Sequence, residues 1–309
     1  MHSAFLFVEI GVLYLVQRTI AAKMGTSLAN EKSQTVLAYA SDCVEFHLNS
    51  MRDTLWIEAV KTLCPRRVVL HTPMACADVM ILFNSNGAMS DLKKLIKNVK
   101  EVKEVLNVDI RILMHVGTTG IALNRTGVDK RMETYLQYDV PFLLENCIQN
   151  VNDDQDGLLY LLKHFRKTGM VHMCFDVCHY RASENMLGYC YVNRNFGKYI
   201  QWIHFAHAAN GDGFRRGSGT HAAVHDSVES VRRDLFLLDE LGVDSNVPIC
   251  IEVNEDDYTN RLNEEREIEL VLETYKKLNS EEVSGFWQSL EDSFILGMLA
   301  SKKKKEATK

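Results

Sequence analysis

The sequence predicts an α/β fold, a single (β/α)8 barrel, on three observations. Six apolar, β-like segments each run straight into a side chain able to bind metal: VVL into His71, ILM into His115, FLL into Glu145, CF into Asp176, WI into His204 and CI into Glu252. These six side chains follow one another at intervals of 44, 30, 31, 28 and 48 residues, and one strand, its helix and their loops take about 30 residues. Helical patterns lie between the segments, and strands alternating with helices predict a parallel sheet. Barrels of parallel strands build their active sites at the C-terminal mouth. All six side chains are therefore expected at one mouth.

In chain order, the first strand is placed at Phe5 to Ile10 and the second at Cys43 to His47. The remaining six end at the side chains above. Helices are predicted over the lysine-rich Ser90 to Leu106, over Asp156 to Lys167 and over Ser227 to Leu241, each with apolar positions at helical spacing. With 309 residues and 46% hydrophobic content the chain can bury a large core. It has four prolines and neither a Gly/Ser-rich run nor a repeat, so one domain is expected over 1–298. Residues 299–309 form a basic, unstructured tail whose Lys302 to Lys305 run reads either as a solubilising terminus or as a nuclear address.

The apolar N-terminal run from Ala4 to Val16 lacks a basic flank, carries Glu9 and is too short to span a bilayer. It reads as a buried first strand, and no membrane association is expected. The eight cysteines are scattered, several of them within apolar strands, where a thiol behaves as a small hydrophobe. That usage suggests a reducing compartment; a soluble intracellular monomer is expected, in the nucleus or cytoplasm, the Lys302 to Lys305 run allowing a nuclear address. Cys174 and Cys178 have three residues between them and no companion pair, which argues against a cysteine zinc site.

Carboxylates such as Glu145, Asp176 and Glu252 are costly in a half-buried mouth unless paired, and metal ions remove that cost. Mixed imidazole and carboxylate ligands suit zinc first, with manganese or iron behind it, over magnesium or calcium. Two ions sharing a carboxylate can stabilise both the attacking and the leaving oxygen in a phosphodiester displacement. The chain has no GxSxG elbow, no GxxxxGK[ST] phosphate loop and no GxGxxG after a strand.

The segments Leu144-Glu145-Asn146 and Phe175-Asp176-Val177-Cys178-His179 resemble the endonuclease IV family of apurinic/apyrimidinic endonucleases, and the similarity runs strand by strand along nearly the whole chain. The resemblance implies a xylose-isomerase-like TIM barrel carrying two or three Zn2+ ions. It places His71, His115 and Glu145 on the first ion, and Glu145 with Asp176, His204 and Glu252 on the second. His179 and His221, the latter in Gly217-Ser218-Gly219-Thr220-His221, would hold a third. Glu145 and Glu252 are the candidate catalytic carboxylates. The implied reaction is hydrolysis 5′ to an abasic site in damaged double-stranded DNA, a step of base excision repair. Mn2+ is the alternative ion.

The chain departs from the family pattern in two places. Gly219 stands where an aspartate is usual, leaving Asp212, His225 and Asp226 as alternative third-ion ligands, and Ala206-His207 replaces the usual Asn-Asp. For DNA, the family inserts side chains from the loops after the second and third strands, a form of base flipping. Those loops hold Asn49, Arg52 and Trp56, then Thr72, Pro73 and Met74. Arg52 could grip a phosphate and Met74 could wedge into the duplex, or each could be loop packing. Arg215 and Arg216, after the seventh strand, are the phosphate candidates, with solvated loop charge as the alternative. Arg66 and Arg67 precede the third strand and belong to the opposite face. A net charge of −6 gives duplex binding no support.

Two other readings remain. The Glu145, Asp176, His204, Glu252 set is also what sugar isomerases and epimerases of the same superfamily use for one divalent ion. His71, His115 and His179 point instead to the nuclease, because they supply further ions. A barrel that binds damaged DNA without cutting it is the third reading.

Overall fold

A computed structural model describes residues 20–25, 42–73, 86–115, 125–146, 151–181, 196–206, 228–252, 269–271 and 273–274. Eight parallel strands form a closed barrel in sequential order. They are β1 Ile20–Gly25, β2 Cys43–His47, β3 Arg67–His71, β4 Asp109–His115, β5 Phe142–Glu145, β6 Val171–Asp176, β7 Ile200–Phe205 and β8 Ile249–Ile251. Closure comes from β1 pairing with both β2 and β8, with Ala22 opposite Val44 and Ile20 opposite Ile249.

Around the strands lie α1 Leu55–Leu63, α2 Asn86–Leu106, α3 Arg125–Leu136, α4 Val151–His164, α5 Val177–Arg181 and α6 Val228–Glu240. The second strand has the predicted bounds, and the three predicted helices fall on α2, α4 and α6. The first strand does not. The barrel opens with Ile20–Gly25, whereas Phe5 to Ile10 lies outside the described residues, as does the tail from 299. The true first strand, IAAKMG, is short, built partly of small residues and broken by a lysine, so it is less β-like than FLFVEI.

Two apolar layers follow from strand alternation, because side chains two residues apart face the same side. Outward residues such as Val68, Leu70, Ile110, Ile112, Phe142 and Leu144 pack beneath the helices in one large core. In α2, Leu92, Leu95, Ile96, Val99 and Val102 form the buried stripe of an amphipathic helix. Its opposite face is exposed, with Lys97 to Glu101 at 3.7 Å and Lys100 to Glu104 at 3.9 Å.

Inside the barrel, each strand gives one residue to a second, separate cluster: Ala21, Cys43, Val69, Leu113, Leu143, Cys174, Trp202 and Cys250. This cluster is an apolar plug, as expected of a small barrel whose interior is filled by side chains. Its thiols are free, and burial pushes Cys43 up to about 11 and holds Cys174 and Cys250 well above the usual thiol value, so they serve as neutral filler.

One glycine below the barrel wall is irreplaceable on contact grounds. A Cβ at Gly197 would lie 2.2 Å from the Leu241 carbonyl oxygen and 2.7 Å from the Gly242 carbonyl carbon. These are backbone atoms, and Gly197 N–H itself donates to Leu241 O at 3.1 Å. Gly197→Ala is expected to lower stability by about 1–3 kcal/mol, read as a lower urea midpoint with an unchanged slope.

Candidate metal centre

Two residues beyond the plug, every strand presents a polar side chain toward the mouth: Lys23, Glu45, His71, His115, Glu145, Asp176, His204 and Glu252. The plug beneath holds this ring against a dry floor. Seven of the eight are buried, and Glu252 is 14% exposed. Four carboxylates face one lysine, so the ring carries a net charge of −3 with neutral imidazoles. Isolated charges of this kind are strongly disfavoured away from water.

Two donor groups made of imidazoles and carboxylates share Glu145, and a third adds the buried Cys174 thiol to Glu145 and His204. His71, His115 and Glu145 form the first, and Glu145, Asp176, His204 and Glu252 the second, with the donor atoms of each within 4.8 Å of one another. In the first, His71 Nε2 and His115 Nε2 approach Glu145 Oε2 at 3.5 and 3.1 Å. In the second, His204 Nδ1 lies 2.5 Å from Glu252 Oε2, 3.5 Å from Glu145 Oε1 and 3.9 Å from Asp176 Oδ2. Glu145 thus turns one oxygen to each group.

The imidazoles are oriented by backbone acceptors. His71 Nδ1–H donates to Thr72 O at 2.8 Å, which leaves Nε2 as its ligand atom. His179 Nδ1–H donates to Asn146 O at 2.7 Å, and its backbone N–H donates to Asp176 Oδ1 at 2.6 Å. Asn146 and Asp176 also exchange hydrogen bonds of 2.9 and 2.8 Å, tying the end of β5 to that of β6. These contacts make the Glu-Asn and Asp-Val-Cys-His motifs one interlocked unit.

Protonation follows from burial and neighbours. Burial, then the Lys23 charge, lowers His71 below the usual histidine value and His47 to about 4. Burial would raise Glu145, but His115 and His204 hold it well below the carboxylate range. Burial would lower His204, yet Cys174, Glu252, Glu45 and Glu145 around it keep it well above the usual value. An ionised Glu145 beside a neutral His71 suits a divalent cation. The residues present fit zinc or manganese in both their donor chemistry and their charge.

An ion bound to the folded chain and not to the unfolded one adds stability by mass action. Zinc at one hundred times its dissociation constant is expected to add about 2.7 kcal/mol, raising the melting temperature on the order of 5 °C. Scanning calorimetry of chelator-treated protein with and without zinc checks this; equal melting temperatures would contradict a metal centre.

Comparison with known proteins bears on the fold alone. No protein-family model matches the chain, and no curated protein is similar to it. Among solved structures, a xylose isomerase domain containing protein from Salmonella typhimurium matches with a TM-score of 0.61 at 9% identity, covering 86% of this chain and 99% of that one. A xylose isomerase domain protein from Planctomyces limnophilus matches at 0.58 and 13%, covering 84% and 98%. The IOLI protein with a binding zinc atom matches at 0.53 and 14%, covering 85% and 99%. The chain has a xylose-isomerase-like barrel fold.

In this barrel the structure brings together His71, His115, Glu145, Asp176, His204 and Glu252, with His179 beside them at 3.3 Å from Glu145 Oε1. His221, Met74, Arg215 and Arg216 lie outside the described residues, as do His207, Asp212, His225 and Asp226. Arg52 is exposed near the mouth and ion-paired with Asp91 at 3.0 Å, a surface pair of little energetic weight. Trp56 is no DNA contact: it is fully buried in α1 and its indole donates to Asp53 O at 3.0 Å. Arg66 and Arg67 sit at the opposite, N-terminal end, paired with Asp42 and Asp109. The sequence reading missed Lys23, Glu45 and His47, the last stacked on His71 with ring centroids 4.9 Å apart. Among the described residues no helix is long and apolar enough to cross a membrane.

Proposed function

We propose that the protein is a metal-dependent phosphodiesterase that hydrolyses DNA on the 5′ side of abasic sites, using zinc. One observation carries this reading. Two ligand groups meet on a single buried carboxylate, Glu145, as a centre for two ions requires. Bound zinc would supply Lewis acidity and an activated water, so no side-chain nucleophile is required. The protein's own part is positional. Backbone carbonyls fix His71 and His179, the plug fills the barrel below, and Glu145 is held ionised by the histidines around it. His179, with its Nδ1 fixed by Asn146 O, is the remaining candidate for a third ion.

A second reading is favoured by the group of Glu145, Asp176, His204 and Glu252, which by itself could hold a single ion. On that reading the protein is a sugar isomerase or epimerase with Glu145 and Glu252 as ligands and acid/base groups. Two of the similar structures bear the words xylose isomerase domain in their names. The decisive experiment uses a labelled duplex with one tetrahydrofuran abasic analogue, which lyase chemistry cannot cut, with and without prior chelation. A single 5′ nick lost on chelation supports the nuclease. An intact duplex from zinc-loaded protein refutes it and leaves two alternatives: retention of the duplex in a gel would mark a binding-only protein, and turnover of a ketose an isomerase.

A further inference from the structure

Glu45, the ring member on β2, belongs to neither group of candidate ligands, and it is fully buried. Its Oε2 accepts from His204 Nε2 at 2.8 Å and from Trp202 Nε1 at 2.7 Å. Its Oε1 lies 3.3 Å from Lys23 Nζ. Lys23 in turn donates to Glu252 Oε1, while Glu252 Oε2 faces His204 Nδ1. The contacts close a loop of Glu45, His204, Glu252 and Lys23, floored by Trp202.

The chemistry of that loop is directional. Glu45 can only accept, so the proton on His204 Nε2 stays there, and the one that gives way to an ion is that on Nδ1, the ligand atom facing Glu145, Asp176 and Glu252. A carboxylate on the far nitrogen also makes the near one a stronger donor. Lys23 performs the matching task for Glu252, occupying Oε1 and leaving Oε2 to the ion.

We propose that Glu45, anchored by Trp202 and Lys23, is a positioning residue that selects the ligand nitrogen of His204 and thereby sets the affinity of the ion held with Asp176 and Glu252. The inference rests on the metal reading of the ring and is independent of the substrate. The first group receives its orientation elsewhere, from Thr72 O on His71. Loss of Glu45 is thus expected at one ion only.

The test titrates zinc into the metal-free full-length chain against a chelating dye, in wild type, Glu45→Gln and Trp202→Phe. Wild type should take up at least two ions. Glu45→Gln should weaken one of them by roughly ten- to a hundredfold and leave the other unchanged. Nitrogen-15 spectra of the metal-free variant should show His204 without its fixed Nε2 proton. Trp202→Phe, which keeps most of the plug, should weaken the same ion less, giving a second reading should Glu45→Gln fold poorly. Equal weakening of both ions, or of neither, overturns the assignment. A wild-type chain that binds no zinc overturns the metal reading beneath it and is distinguished from the other outcomes by that fact.

Discussion

Glu145→Gln is expected to reduce nicking of the abasic duplex by on the order of a thousandfold or more, and to cut bound zinc to one ion per chain or none. Glutamine matches glutamate in shape, so packing among the buried ring residues is conserved, but it removes the charge that both ligand groups share. A neutral amide cannot bridge two divalent cations, and its NH2 would turn a donor toward one of them. Metal analysis of the dialysed variant and a single-turnover cleavage time course test this together. A variant with a full zinc load and a rate within tenfold of wild type would sink the shared-carboxylate assignment. Unchanged secondary structure by circular dichroism separates loss of chemistry from loss of fold.

Trp202→Ala is expected to destabilise the barrel by about 3–5 kcal/mol, the range for emptying a buried aromatic site. Trp202 is fully buried, is the largest member of the plug and donates its indole N–H to Glu45. Alanine would leave a cavity under the ring and remove one donor from a buried carboxylate, two costs of the same sign. The melting temperature should fall on the order of 10 °C. Trp202→Phe refills most of the volume and loses mainly the hydrogen bond, so about 2 kcal/mol is expected. Melting of Trp202→Ala within a degree of wild type would show that the plug does not support the ring.

Six ring positions were legible in the sequence because each closes an apolar run: VVL before His71 or FLL before Glu145 stands out where a polar side chain ends the strand. Glu45 and Lys23 were not, for a physical reason. In Cys43-Val44-Glu45-Phe46-His47 the alternation reads as a half-exposed strand with Glu45 toward solvent. Closure inverts that reading, since the outer face, Val44 and Phe46, is the one covered by helices and the inner face carries Glu45 and His47. Lys23 was hidden further by the misplaced first strand. Trp56 was placed in the loop after the second strand, yet Asp53 and Thr54 stand at the entrance to α1, and the indole is tied back to Asp53. Of the DNA-contact candidates, Met74, Arg215 and Arg216 lie outside the described residues, and Arg52 is paired with Asp91.

The closed floor under the ring has a consequence for the order of events. With Trp202, Leu113, Leu143 and Val69 filling the barrel below, the described residues leave the C-terminal mouth as the approach to the ring. Cations, water and substrate therefore share one doorway. On the proposed two-ion reading the ions would load first, and a substrate docked at the mouth would act as a stopper over them.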